Sequence, residues 1–248
     1  MDPIAFEIGP IAVRWYGVLI SMAIGLGIVL AYRECMRQRI DPDHALTISI
    51  FAIPAALIGS RLYFVAFNWD YYSLHPGVIL ATWQGGLAIH GGVIGGVLAG
   101  YFVVRKYNLN FWKMADIFAP SIILGQAIGR WGNYFNQEAY GFITDVPWAM
   151  YIAGAYRHPT FLYESIWNIG VFAYLMYLRY QPRTKQGEIF TNYIILYSIG
   201  RLGIEFFRTD SLMIGPLMVA QVVSLTLIVV GVLIYYFKVR SAPRYNIM

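Results

Sequence analysis

Seven apolar stretches, each long enough to cross a lipid bilayer, dominate this chain of 248 residues. They cover roughly residues 15–32, 45–67, 85–104, 111–129, 159–178, 189–205 and 216–237. A helix rises 1.5 Å per residue, so about 20 apolar residues match a hydrocarbon layer of about 30 Å. Inside lipid the backbone must satisfy its own hydrogen bonds, which leaves helices or closed barrels. A barrel alternates apolar and polar residues in segments of about ten, whereas these runs are continuous. The chain therefore reads as an all-α, polytopic membrane bundle of seven transmembrane helices.

Composition excludes the other broad classes. Apolar residues make up 58% of the chain and charged residues 12%, against about 45–50% and about 25% in soluble proteins. That is too little charge for a soluble surface and too much hydrophobicity for disorder. The single Cys35 excludes an internal disulfide and a thiolate metal cluster. Asp2 and Glu7 stand where a cleavable signal peptide would be basic, and no small-residue cleavage site follows the first span.

The net charge of +5 raises nucleic acid as a partner, but the placement of the cations removes it. Arg33, Arg37 and Arg39; Arg105, Lys106 and Lys113; Arg179, Arg183 and Lys185; and Lys238, Arg240 and Arg244 fall on one side, twelve of the 18. Such a bias marks the cytoplasmic face. The N-terminus is then outside and the C-terminus cytoplasmic, with Cys35 in the reducing compartment. The whole chain, 1–248, is expected to be one integral membrane domain. Its longest outward loop, 130–158, is a small extracytoplasmic cap between spans four and five.

The six remaining cations are all arginine: Arg14, Arg61, Arg130, Arg157, Arg201 and Arg208. An arginine at the bilayer centre costs about 2.5–3.5 kcal/mol on insertion scales. Arg61, Arg130 and Arg201 lie in the outer halves of three outward-running spans. The inward-running spans bring Tyr16, His90 and Glu164 to a similar depth. For any one of these arginines a structural lock and a ligand contact are equally good readings. Arg61, Arg130 and Arg201 can pair with Glu138, Glu164 and Glu205, and Arg208 can snorkel to headgroups. Three guanidinium groups at one level, beside a His and several Tyr, favour function. Their planar forks match phosphate oxygens, so a phosphate-bearing ligand at the outer leaflet is the simplest guest.

Gly129-Arg130-Trp131-Gly132 and Gly200-Arg201-Leu202-Gly203 repeat a Gly-Arg-x-Gly pattern that would let a backbone or ligand approach the guanidinium. His90-Gly91-Gly92-Val93-Ile94-Gly95-Gly96 has the small-xxx-small spacing of tightly packed helices. By itself His90 reads as an interhelical hydrogen bond. A bulky ring beside such a seam is expected to face a specific cavity, and near arginines it would stay neutral and serve as a general base. His44, His75 and His158 lack ligand spacing, so no metal is expected.

The stretch from Gly129 to Glu138, GRWGNYFNQE, resembles the signature of the bacterial prolipoprotein diacylglyceryl transferases. The resemblance extends to Arg14-Trp15-Tyr16-Gly17, His90-Gly91-Gly92, His158-Pro159-Thr160 and the run from Tyr197 through Arg201 and Glu205 to Arg208. One position departs: Phe161 stands where some members carry Gln. The resemblance implies a seven-span enzyme of the bacterial cytoplasmic membrane with its site open to the outer leaflet. It implies transfer of the diacylglyceryl group of phosphatidylglycerol to the lipobox cysteine of a prolipoprotein signal peptide, releasing glycerol phosphate. It marks His90, Arg130 and Arg201 as important, with Tyr16, Asn133, Asn136, Glu138, Tyr197, Glu205 and Arg208 around them. No cofactor is implied.

The residue types suit that reaction. A thiol needs a base, for which His90 qualifies, and a departing phosphate needs cations, for which Arg130 and Arg201 qualify. Tyr16 and Tyr197 can donate to headgroup oxygens. Asn133 and Asn136 can contact glycerol hydroxyls or brace the loop. Glu138 and Glu205 are expected to orient Arg130 and Arg201, while Arg61 and Glu164 are either structural or phosphate contacts. With Cys35 on the cytoplasmic side, direct transfer without an enzyme-bound intermediate is expected. The rival readings are a transporter for an anionic solute, whose site would lie near the midplane between repeats, and a lipid-binding scaffold, which would need no base.

Overall fold

The computed structural model describes residues 2–9 and 11–245. It is mostly helical: α1 (Trp15–Arg37), α2 (Asp43–Phe67), the short α3 (Trp69–Leu74), α4 (Ile89–Lys106), α5 (Phe111–Phe135), α6 (Thr160–Arg179), α7 (Glu188–Glu205) and α8 (Val219–Ile234). A π-helical turn, Tyr235–Val239, continues α8. Each apolar stretch coincides with one of the seven long helices. Three of them, α1, α2 and the run Val219–Val239, are long and apolar enough to cross a membrane by length and composition. The others are diluted by charge, as with Asp116 and Arg130 in α5, or by glycine, as in α4.

The all-α expectation needs correcting. Three antiparallel hairpins accompany the helices: β1 (Ile4–Ile8) with β2 (Ile11–Arg14), β3 (Met150–Ile152) with β4 (Ala155–Arg157), and β5 (Met213–Ile214) with β6 (Leu217–Met218). The β3–β4 hairpin turns on Ala153 and Gly154, both at positive φ (49° and 83°), the geometry that a two-residue hairpin loop requires. These strands are too short to compete with 20-residue apolar runs as a sequence signal. Two boundaries also move. Helix α5 continues through Phe135, so the connection to α6 begins near 136 rather than 130. Helix α4 begins at Ile89 rather than 85, because Gly85 and Gly86 turn at positive φ (89° and 72°).

The chain forms two compact units, one of residues Tyr32–Met114 and one of the residues up to Ala31 with those from Ala115 on. In the first unit, α2 and α4 touch backbone to backbone. A Cβ added to Gly59 would sit 2.4 Å from the Gly91 carbonyl oxygen, and one on Gly95 would sit 2.3 Å from the Ala55 carbonyl oxygen. The glycine run of α4 is thus a packing seam, with Gly59 and Ala55 as its counterpart on α2. Cys35 is fully buried here.

Arg61 locks the loop between these helices. Its Nε donates to the Ile79 carbonyl (2.7 Å), Nη2 to Val78 (2.7 Å), and Nη1 to Gly85 and Gly86 (2.8 and 3.0 Å). The guanidinium also lies 5.2 Å from the centre of the Tyr72 ring. Four of the five N–H groups of a guanidinium are therefore spent on backbone, and the phosphate-contact reading of Arg61 gives way to the structural one. An orphaned buried carbonyl costs about 1–3 kcal/mol. Arg61→Gln should lower the unfolding midpoint and speed amide exchange across 68–88. Wild-type exchange in that loop would contradict the lock.

In the second unit, α5, α6 and α7 pack around Ala119, Ile123, Val171, Leu175 and Ile189. Helix α8 lies along α7, where a Cβ on Gly231 would come 2.6 Å from the Ile195 side chain.

Candidate active site

Three arginines from separate parts of the second unit converge on one buried carboxylate. Glu164, on the first turns of α6, has a side chain only 4% exposed. Its Oε2 takes Arg130 Nη2 from α5 at 2.7 Å. Its Oε1 takes Arg201 Nη1 from α7 at 2.9 Å and Arg208 Nη1 at 3.3 Å. Each arginine but one has a second anion: Arg201 reaches Glu205 at 2.5 Å, and Arg208 reaches Asp210 at 2.8 Å. Burial alone would ease the proton off Arg208. Asp210, then Glu164 and Glu205, outweigh it and hold the guanidinium above its ordinary range, so its charge is permanent.

Arg130 is the exception. Its ion pair with Glu164 uses Nη2; among the described residues Nε and Nη1 make no bond, and the side chain is 20% exposed. With three arginines against Glu164, Glu205 and Asp210, the cluster is formally neutral. What it offers an anion is the directed N–H groups of Arg130 rather than surplus charge.

Directional bonds hold the three helices around this cluster. Ser165 donates to the Ala127 carbonyl (3.0 Å) and accepts from Trp131 Nε1 (3.1 Å), tying α6 to α5. Trp167 Nε1 donates to the Leu196 carbonyl (2.9 Å), tying α6 to α7. Two of the four glycines flanking the arginines admit aromatic rings, whereas Gly203 faces open space. A Cβ on Gly132 would fall 2.3 Å from the Tyr16 ring, and one on Gly200 would fall 2.1 Å from Trp167 Nε1. Gly132 and Gly200 thus each let a ring lie flush against the helix that carries an arginine.

The connection between α5 and α6 fixes Arg208. Gly141 pairs with Arg208 in an isolated antiparallel bridge, and the Phe142 amide donates to the Phe207 carbonyl (3.0 Å). Gly141 is squeezed between His158 and Phe207, where an added Cβ would lie 2.6 Å from His158 Cβ. Thr160 donates to the Ala139 carbonyl (2.5 Å), pinning that connection to the start of α6.

The model of the prolipoprotein diacylglyceryl transferase family matches residues 3–237. The chain belongs to that family. It is 50% identical over 236 residues to the phosphatidylglycerol–prolipoprotein diacylglyceryl transferase of Thermosynechococcus vestitus, covering 91% of this chain and 88% of that protein. It is 48% identical to the proteins of the same name from Geobacillus kaustophilus, over 96% of this chain and 93% of that one, and from Bacillus licheniformis, over 100% and 97%.

The other residues marked by the resemblance to these transferases are arranged unevenly. Glu138 was expected to orient Arg130. Instead its Oε1 accepts from Asn133 Nδ2 (2.9 Å) and Asn136 Nδ2 (3.2 Å), closing the turn after α5, while the deeper Glu164 holds Arg130. The asparagines therefore brace the loop through Glu138. Glu205, by contrast, is an ion-pair partner of Arg201. Tyr197 stacks on Tyr193, with centroids 6.0 Å apart, whose hydroxyl accepts from Gln126. Tyr16 is exposed over Gly132. Phe161, the departing position, is buried and stacks on Tyr134 at 4.7 Å, so it fills space in an aromatic cluster. His90 belongs to the first unit, on the first turn of α4. Its ring is exposed, 5.9 Å from that of Tyr63, rather than enclosed in a cavity of that unit.

Proposed function

We propose that this chain transfers the diacylglyceryl group of phosphatidylglycerol to the lipobox cysteine of prolipoproteins. The observation that carries the reading is the arginine cluster on Glu164, with the unspent Nε and Nη1 of Arg130 at its edge. The names of the relatives supply the two substrates. The protein works in the bacterial cytoplasmic membrane as seven spans, N-terminus outside, with the arginine cluster toward the outer leaflet. The twelve cations in alternate loops and the seven apolar runs support that orientation.

In this mechanism His90 takes the proton of the substrate thiol. The sulfur attacks the glyceryl carbon bonded to the phosphate ester, forming the thioether carbon–sulfur bond. The carbon–oxygen bond breaks, its electron pair stays on the ester oxygen, and glycerol phosphate leaves. Negative charge grows on that oxygen, and Arg130 and Arg201 answer it with directed N–H groups. Glu205 and Glu164 hold the guanidiniums in place beforehand, so no reorganisation is needed as charge develops. Tyr16 and Tyr197 serve as hydroxyl donors to the headgroup.

Purified protein, phosphatidylglycerol and a lipobox peptide should yield a peptide heavier by one diacylglyceryl group, and the Cys→Ser peptide should stay unmodified. Absence of the thioether, or equal modification of the serine peptide, sinks the proposal.

A further inference from the structure

Asp116 has no counterpart in the reaction just described, yet it is fully buried and accepts three short hydrogen bonds. The amides of Gly187 and Phe190 donate at 2.6 and 2.7 Å, and the Tyr245 hydroxyl donates at 2.6 Å. Those two amides open α7, where a helix has N–H groups without intrahelical partners. A carboxylate on α5 thus caps the start of α7.

The spacing gives this cap a meaning. Asp116 precedes Arg130 by fourteen residues on α5, and Gly187 precedes Arg201 by fourteen on α7. At 1.5 Å per residue, both intervals measure about 21 Å. The helices leave one tie in step and arrive in step at Glu164. Between these ends the contacts are weaker in direction: an apolar cluster, which resists separation but not sliding, and a neutral bond of 3.2 Å from Gln126 to Tyr193. The two short bonds from amides of the α7 start to Asp116, 2.6 and 2.7 Å, are a closer directional tie than the Gln126–Tyr193 bond.

We propose that Asp116 is a positioning residue that sets the axial register of α7 against α5, bringing Arg130 and Arg201 to one level on Glu164. The inference deepens the transfer reading and takes its catalytic meaning from it. A slip of one residue moves a guanidinium by about 1.5 Å, enough to break contacts of 2.7–2.9 Å.

The test uses the full-length protein in detergent on a Cys35→Ala background, with spin labels at the exposed positions Ile122 on α5 and Ile199 on α7. Asp116→Asn keeps the size but replaces one acceptor oxygen with a donor facing an amide. In the folded variant the label distance should shift or broaden by at least one residue's rise. Its kcat/KM for thioether formation should fall by about 10–100-fold, the scale of an ångström misplacement at a reacting centre. Should Asp116→Asn not fold, Gly187→Ala loosens the same tie from the other side, since Gly187 sits at φ +86°. Either a wild-type distance or a wild-type kcat/KM in a folded variant overturns the inference. If the unmutated protein makes no thioether, the transfer reading fails and the label distance alone judges the register.

Discussion

Arg130→Ala should lower kcat/KM for thioether formation by about 10²–10³-fold or more, the loss typical of one donor at a developing oxyanion. The protein should remain folded, because Glu164 keeps Arg201 at 2.9 Å and Arg208 at 3.3 Å. Arg201→Ala should be as damaging to catalysis and more so to stability, since it strips a partner from both Glu164 and Glu205. The informative companion is Arg130→Lys. The cluster is formally neutral, so recognition of a phosphate depends on the planar fork rather than on net charge, and an ammonium cannot reproduce it. The Arg130→Lys variant should therefore recover only a small part of the activity. For the same reason turnover should depend weakly on ionic strength, because contacts within a buried cluster are poorly screened. Full activity of Arg130→Lys, measured by the mass shift of the peptide, would show that a positive charge suffices.

Hydrophobic runs made the seven long helices legible, because nothing but a helix accommodates 20 continuous apolar residues without partners. Hairpins of two to five residues carry no comparable signal, and their glycine turns read equally well as loops. Within the site, the sequence offers a height along each helix but no direction around it. Counting residues from the end of a span gives height at 1.5 Å each, but leaves open which way a side chain points around the helix. Arg61, Arg130 and Arg201 were grouped by height. The structure spends Arg61 on the carbonyls of Val78, Ile79, Gly85 and Gly86, and Arg130 and Arg201 on Glu164.

Pairing was the other blind spot. Glu138 is eight residues from Arg130 and Glu164 is thirty-four away, so proximity in sequence favoured the wrong carboxylate. Burial decides otherwise: a carboxylate enclosed at 4% exposure must find cations, whereas one in an open turn is served by two asparagine amides. Asp116 was missed for a related reason. In sequence it is one acid in an apolar helix, and its partners are backbone amides that no side-chain pattern reveals. The α2–α4 seam was read from one side only, through the glycines of α4; its α2 side repeats the same spacing with alanine, in Ala55 and Gly59, and is less conspicuous.

Glu164→Ala should be the most destabilising single change in the cluster. It removes the one anion common to three guanidiniums. Arg201 and Arg208 retain Glu205 and Asp210, but Arg130 is left with no anionic partner among the described residues. Breaking a buried ion pair by deleting one partner costs about 3–5 kcal/mol, because the other charge stays uncompensated. The thermal unfolding midpoint in detergent should fall accordingly. The sign of the coupling with Arg130 separates this cause from lost packing. If uncompensated charge is responsible, adding Arg130→Ala to Glu164→Ala should return part of the stability, with a coupling above about 0.5 kcal/mol, the usual limit of additivity for independent sites. If the loss is a packing void, the second deletion should only deepen it. Inorganic phosphate offers a further discrimination, since an anion that binds the folded state raises its midpoint by mass action. In Glu164→Gln the arginines have lost their internal anion while keeping its shape. Phosphate should then raise the midpoint of Glu164→Gln more than that of the unmutated protein. An equal response in both would mean that the guanidiniums do not converge on a place an anion can occupy.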